Sequence, residues 1–358
     1  MENMVSLPSN SFWSKKRVLV TGHTGFKGSW LCHWLLKMNS EVTGIALETE
    51  QEKNLFNLLK LDSRVDSYIS DLRNHKQTSQ LIRNVDPEIV FHLAAQPLVR
   101  EGYRTPVETF STNILGTVHL LDAIRHAPSV KAVVVVTTDK VYQNQNWFHP
   151  YRESDRLGGH DPYSASKAAC ELIVDSYRQS FLNSAGIKIA TVRAGNVLGG
   201  GDWAAERLVP DLLRAWSNGQ SLTIRNPSAV RPWQHVLESL CGYLSIAEQL
   251  HTNPNAIGTF NIGPECSDQV SVLSLIQKFQ HALGFGEFCV ENDNLSMHET
   301  DLLFLDNSKA KNILGIKPRW NIEQAIRRTA EWHKKLDAGE LASKLCSDDI
   351  TFYETCDE

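Results

Sequence analysis

Residues 17–37, RVLVTGHTGFKGSWLCHWLLK, leave the chain few ways to fold. RVLVT is an apolar run of strand length, GHTGFKG is a glycine turn, and Trp30, Leu31, Trp34, Leu35 and Met38 recur at helical intervals. Glycines at 22, 25 and 28 let the chain turn tightly, bring its backbone up to a ligand and pack helix against strand. The start of the helix offers free N–H groups and partial positive charge, a seat for phosphate. A glycine triplet alone describes any tight turn. The flanking strand and helix, with Glu48 about twenty residues on at the end of the next apolar run, turn it into a dinucleotide fingerprint. A carboxylate there bonds both ribose hydroxyls and repels a 2′-phosphate, which favours NAD over NADP. Lys53 lies close enough in sequence to keep that choice open. Asp71, ending a weaker strand over residues 67–70, suits an adenine contact and a plain surface carboxylate equally well.

Further strands at 41–47, 88–93, 131–136 and 187–192 alternate with helical patterns at 106–126 and 162–181, each opened by a proline. That alternation predicts an α/β fold, a Rossmann-type doubly wound parallel sheet. After Gly199 the alternation breaks into loops, short strands and helices, which predicts a smaller, mixed C-terminal substrate lobe. The expected division is 12–198 for the nucleotide-binding domain, with parts of the C-terminal half returning to it, and 199–329 for the lobe. Residues 337–358 are acidic and weakly periodic, as in a mobile tail or short capping helix, and residues 1–11 resemble a loose arm.

Composition narrows the partners. A formal charge of -5 over 358 residues gives no global attraction to nucleic acid or an anionic membrane. Seven scattered cysteines with no CxxC point to reduced thiols in the cytoplasm. No run is long enough to span a bilayer, and no signal segment is apparent. His119, His126, His149 and His160 lack metal-ligand spacing, so no metal is expected.

The chemistry gathers at one strand. Residues 131–140, KAVVVVTTDK, run apolar and then deliver Thr137, Thr138, Asp139 and Lys140 to the carboxyl end, where open α/β sheets bind ligands. Beyond a long loop at 143–161, YSASK sets Tyr163 and Lys167 four residues apart, on one face of a helix. A nearby ammonium favours the phenolate, so Lys167 is expected to lower the Tyr163 pKa and ready it as a base. The loop carries Trp147, Phe148 and Tyr151, which suit either a cover for the ligand or plain packing. His92, inside an apolar strand, reads as structural.

TGHTGFKG, HLAAQ, TTDKVY, YSASK and RAGNV, in this order, resemble the extended short-chain dehydrogenase/reductase family over about residues 16–320. The longer strings YRESDRLGGHDPYSASKA, GNVLGGGDWAAERLVPD, AVRPWQHVLE and HETDLLFLDNSKAKNILG resemble its nucleotide-sugar dehydratase branch, of the CDP-glucose type. The resemblance implies one bound NAD, contacted by Gly22, Thr24, Gly25, Phe26, Lys27, Gly28, Glu48, Asp71, Leu72, Leu93, Ala94, Ala95, Tyr163 and Lys167. It implies that Tyr163, assisted by Thr138, takes the C4 hydroxyl proton during oxidation of CDP-glucose. Water is then lost across C5 and C6, and the hydride returns to C6, giving a 4-keto-6-deoxy sugar for deoxysugar biosynthesis.

Related dTDP-glucose dehydratases carry an aspartate–glutamate pair where this chain has Asp139 and Lys140. Asp139 beside a lysine is expected to stay ionised unless burial outweighs its partner, and Lys140 serves as a base only if neutral. The expected roles are Asp139 for the C6 oxygen proton and Lys140 for the C5 proton, with a relay through water as the fallback. On the substrate side the resemblance implies Gln96, Asn196, Arg207, Leu208, Arg231 and His298, the arginines toward the diphosphate. It also implies a homodimer built on the two amphipathic helices, with a tetramer as the larger assembly open to it. A sugar 4-epimerase, a dehydratase of another nucleotide-hexose, and a non-enzymatic NAD-sensing protein are the competing functions. Asp139–Lys140 speaks against the first, and Thr138, Tyr163 and Lys167 together speak against the last.

Overall fold

The computed structural model describes residues 7–49, 53–291 and 302–356. Seven parallel strands form the central sheet: β1 (Arg17–Thr21), β2 (Glu41–Ala46), β3 (Asp66–Ile69), β4 (Ile89–His92), β5 (Ala132–Val136), β6 (Lys188–Ala194) and β7 (Gly258–Ile262). Their spatial order is β7-β6-β5-β4-β1-β2-β3. Strand order therefore reverses between β1 and β4, which opens a crevice at their carboxyl ends.

Two helical layers cover the sheet. One contains α1 (Phe26–Lys37), α6 (Val236–Thr252) and α9 (Ala342–Thr355); the other contains α2 (His75–Val85), α3 (Gly116–Ile124) and α4 (Pro162–Tyr177). The helix leading into α3 starts at Pro106, as expected, and joins α3 through a π turn at Ser111–Leu115. β5 shows why its sequence is an unbroken apolar run. Val134 and Val136 enter the core under α1 and α6, whereas Val133 and Val135 enter the core under α2 to α4.

A third core builds the lobe from α5 (Leu208–Ser217), α7 (Val272–Leu283) and α8 (Ile322–Asp337), with Leu212, Phe279 and Ile326 at its centre. The expected 199–329 segment is thus interrupted by α6 and β7, which belong to the main sheet.

Among the described residues, those near the N-terminus are packed where a loose arm was expected, and those near the C-terminus take the helical one of the two expected forms. Residues Asn10–Trp13 form a helical turn that buries Trp13 completely, and the Ser9 amide donates to Glu248. In place of a tail, α9 packs Leu345, Cys346, Ile350 and Tyr353 into the largest core. Among the described residues no helix is long and apolar enough to cross a membrane.

Candidate active site

β1 ends in the glycine turn, and two of its three glycines are required by geometry alone. Gly22 has φ +76°, and a Cβ there would meet the Ala94 backbone nitrogen at 2.8 Å. At Gly28 a Cβ would lie 2.1 Å from the Gly22 carbonyl oxygen. At Gly25 it would meet only that oxygen, at 3.4 Å, so the protein itself does little to exclude a side chain there. The bare surface of Gly25 faces a cleft of about 1040 Å³ at the start of α1. This is the cradle a pyrophosphate needs, and Glu48, Asp71 and Leu72 extend the same wall. His23 serves the turn from behind, with Nε2 at 2.7 Å from the Ser67 hydroxyl and its ring filling the space above Gly44.

Lys53, the residue that kept a 2′-phosphate in play, lies 4.9 Å over the Trp203 ring and does not line the cleft. Asp71 is held below the usual carboxylate range by hydrogen bonds from the Arg73 side chain.

β5 delivers the polar tip to the middle of the same cleft. Val136 is the last strand residue, and Thr138 opens a short helical turn over Asp139–Val141, its hydroxyl facing the Lys140 amide at 3.4 Å. The Thr138 hydroxyl donates to Asp139 Oδ1 at 2.9 Å, while Oδ2 accepts no hydrogen bond. Burial raises the Asp139 pKa, against the pull of Lys140, the Thr138 hydrogen bond, Arg231 and Lys27. The exception allowed for in the sequence therefore applies: desolvation outweighs the neighbouring ammonium and lifts the Asp139 pKa above the usual carboxylate value.

α4 brings Tyr163 and Lys167 to this point. Asp161 caps the helix by accepting from the Ser164 amide at 2.9 Å, and Pro162 occupies the first turn. Lys167 Nζ donates to the Val136 carbonyl at 3.1 Å, and the Thr138 hydroxyl lies near enough to the Tyr163 hydroxyl to act on its charge. One expectation is overturned here. The Tyr163 pKa is pushed up to about 12, not lowered, because burial of the phenolate outweighs the opposing effect of the Thr138 hydroxyl. Burial likewise lowers the Lys167 pKa.

Lys27 reaches further than a glycine-loop residue should. Its ammonium donates to the Tyr243 hydroxyl at 3.2 Å. Burial, helped by Arg207 and Lys167, lowers its pKa to about 7, while Asp139 and Asp202 oppose the change. The α1 helix thus supplies a titratable amine to the middle of the cleft, an outcome that no local motif signals.

Asn196, Arg207, Leu208 and Arg231 line the lobe side of the cleft, as expected. Arg207 is oriented by Asp202 at 3.0 Å. Trp30 Nε1 donates to the Gly200 carbonyl at 2.9 Å, and a Cβ at Gly200 would strike the Trp332 indole, so the loop bearing Asp202 is pinned from behind. Gln96 is a correction. Its amide is used up on Leu98 and Thr109, where it braces the turn, and it does not line the cleft. His298 lies outside the described residues. His92 is structural, bonded to the Thr21 and Thr117 hydroxyls, with burial lowering its pKa to about 3.

The aromatic loop also resolves. Tyr151 is buried in a stack on Tyr142 at 4.9 Å, Trp147 packs on Tyr151, and Phe148 points outward. Only the far end of the loop, Arg156 to Asp161, joins its foot at Gln143 and Asn144 in lining the cleft. Arg156, Arg225 and Glu206 are lining residues that the sequence did not single out. Among the described residues no cluster of three or more His, Cys, Asp or Glu is arranged to hold a metal.

The fold has known counterparts. A dTDP-glucose 4,6-dehydratase from Bacillus anthracis, solved in complex with NAD, superposes with a TM-score of 0.75 at 23% identity, covering 90% of this chain and 97% of that one. A UDP-glucose 4-epimerase from Thermus thermophilus, also with NAD, gives 0.75 at 26% identity over 88% and 97%. In sequence, the CDP-glucose 4,6-dehydratase of Salmonella typhimurium is 45% identical over 336 residues, 92% of this chain and 94% of that protein. The GDP-mannose 4,6 dehydratase family model matches residues 19–329, and with that span the chain belongs to this family.

Proposed function

We propose that the chain is an NAD-dependent 4,6-dehydratase that converts CDP-glucose to CDP-4-keto-6-deoxyglucose. The observation that carries this reading is the strand end itself. A buried aspartate, its pKa raised by that burial, and a lysine follow directly on Thr138, in the cleft that also holds Tyr163 and Lys167. Epimerisation at C4 needs only oxidation and reduction. Elimination of water needs an acid at C6 and a base at C5 as well, and Asp139 and Lys140 fill those two places.

NAD supplies the hydride acceptor at C4 and the hydride donor at C6. Gly22, Gly25 and Gly28 hold its pyrophosphate against the start of α1, and Glu48 takes the ribose hydroxyls. With Lys53 engaged on Trp203, the unphosphorylated cofactor is the one that fits. Tyr163, once ionised, takes the C4 hydroxyl proton, with Thr138 facing its oxygen. Because burial holds the resting phenol neutral, the oxidation step should quicken with rising pH.

The 4-ketone then acidifies the C5 hydrogen, which Lys140 removes, while Asp139 protonates the departing C6 hydroxyl. Arg207 and Arg231 meet the diphosphate; Asp202 orients Arg207, and Arg231 sits close enough to Asp139 to act on its charge. The choice of CDP rests on the 45% identity to the Salmonella enzyme.

Assembly as a homodimer has support in the apolar side chains left outward on the two helices. Val107 is 81% exposed and Leu172 64%, with Phe110, Leu115 and Phe181 also open to solvent. The free cysteines suit the cytoplasm.

The test is to incubate the purified protein and NAD with CDP-, dTDP-, GDP- and UDP-glucose and follow each by mass spectrometry. Loss of one water from the CDP sugar alone is the expected result. Conversion without a change in mass would replace this reading with epimerisation, and no turnover of any sugar would favour a sensor. Substrate deuterated at C4 should yield product carrying the label at C6.

A further inference from the structure

Behind the cleft, one turn deeper along α4, lies a charged cluster that none of the steps above uses. Tyr163, Lys167 and Glu171 follow at four-residue intervals on one helix face, and all three are buried. Glu171 does not line the cleft. Its Oε1 accepts from the Thr137 hydroxyl at 2.5 Å and from Arg193 Nε at 3.0 Å. Its Oε2 accepts from the Thr191 hydroxyl at 2.7 Å, from Arg193 Nη2 at 3.2 Å and from the Thr259 hydroxyl at 3.4 Å. One carboxylate thereby ties the helix to the end of β5, to β6 and to β7.

We infer that Glu171, with Arg193 as its counter-charge, is the positioning residue that keeps the strand end bearing Thr138, Asp139 and Lys140 in register with the helix bearing Tyr163 and Lys167. The register is a ladder of three rungs. Val136 is bonded to Lys167, Thr137 is bonded to Glu171, and Thr138 faces Tyr163 across the cleft lining. The first two rungs are structural, and they fix where the third one meets the substrate.

The far end of the segment is tied to the same pair. The Arg193 guanidinium lies 4.8 Å over the Tyr142 ring, and Tyr142 donates to Asn261 Oδ1 at 2.7 Å. Residues 138–141 are therefore held between two anchors that share one ion pair.

Stability alone does not account for such a pair. Replacing a buried carboxylate–guanidinium contact by apolar groups of similar volume is often neutral or stabilising. A carboxylate offers about four acceptor directions, and the guanidinium a rigid fork, so together they define distances that a leucine and a methionine would not. Displacing a reacting group by about 1 Å costs on the order of a hundredfold in rate. The inference rests on the reading that Thr138, Asp139 and Tyr163 carry the reaction.

The mild variant Thr137→Val removes one rung while keeping shape and charge; Glu171→Gln removes the counter-charge to Arg193. With CDP-glucose and saturating NAD, Thr137→Val should lower kcat about tenfold and leave KM within about twofold. Glu171→Gln should lower kcat further, and the double variant should be no slower than Glu171→Gln alone, because both act through one contact. Wild-type kcat in Thr137→Val, or additive losses in the double variant, would overturn the inference.

Hydrogen exchange followed by mass spectrometry supplies a second arm that needs no turnover. Amides of 138–142 should lose protection about tenfold in Thr137→Val while peptides of β1 and α1 keep theirs. Unchanged protection there would overturn the tether. If the wild-type protein turned over none of the sugars, the functional reading would fall, and the exchange result would still decide whether Glu171 holds the strand end.

Discussion

The lining of the cleft and the floor behind it each hold a buried carboxylate beside the end of β5, and the two are treated in opposite ways. On the floor, both Glu171 oxygens are occupied by hydroxyls and a guanidinium. In the lining, Asp139 has one oxygen bonded to Thr138 and the other without a hydrogen-bond partner among the described residues. The protein saturates the acid outside the cleft and leaves acceptor capacity on the acid that lines it. An unmet buried oxygen costs stability, and here that cost sits where the proposed reaction moves a proton.

The largest expected effect comes from the carboxylate in the lining. Asp139→Asn keeps the shape and removes the transferable proton, so kcat should fall by about 10²–10⁴ while KM for the sugar changes little. A variant within tenfold of wild type would mean that another group protonates the C6 oxygen.

Lys140→Met sharpens the comparison at the next residue. It should cut kcat by about 10² and abolish exchange of the C5 hydrogen with solvent deuterium. Exchange at the normal rate would show that Lys140 is not the C5 base.

A third acid, Glu238, serves as the remote control and gives the smallest effect. It lies away from the cleft, accepting from the Trp320 amide at 2.7 Å and the Tyr353 hydroxyl at 2.9 Å, and burial pushes its pKa up to about 7. A carboxyl raised in the folded state favours the neutral form. Its contribution is fully present below the unfolded carboxyl range and is lost as pH rises through about 7. Between pH 5 and pH 8 that amounts to about 3 kcal/mol at most. Thermal unfolding of Glu238→Gln should show a correspondingly flatter dependence on pH than wild type, with kcat unaffected. An identical pH slope in the two proteins would mean that Glu238 is ionised in the fold throughout.

Much of this was legible in the sequence because it is local. The glycine turn needs close backbone contacts between near neighbours, and the β5 run must be apolar on both faces to lie mid-sheet, so the first six strands stand where the apolar runs stop. α9 was not legible. Its buried Leu345, Cys346, Ile350 and Tyr353 are interleaved with Asp348, Asp349 and Glu354, and Asp349 is buried against Arg328 of α8, so an inward carboxylate reads as an outward one. β7, GTFNI, is short and half polar, because Asn261 spends its amide bonding the Tyr151 and Asp306 carbonyls.

At the site, spacing brought Tyr163 and Lys167 together but had the sign of the tyrosine's pKa shift wrong. Proximity of charge follows from sequence, whereas desolvation depends on every element packed around the pair. Gln96 erred for a related reason: a side chain beside the cleft was consumed by its own turn.

The seventh strand carries one further implication, for how the chain is made. β7 pairs only with β6, and the largest core runs from Trp13 to Tyr353, so the N-terminal half leaves the ribosome with its sheet unfinished and one apolar face uncovered. Parallel sheets with such distant contacts form slowly and stay prone to aggregation until their last elements arrive. Loss of the segment around Ile350 and Tyr353 would therefore be felt first as failure to accumulate in the cell, well before any question of catalysis arose.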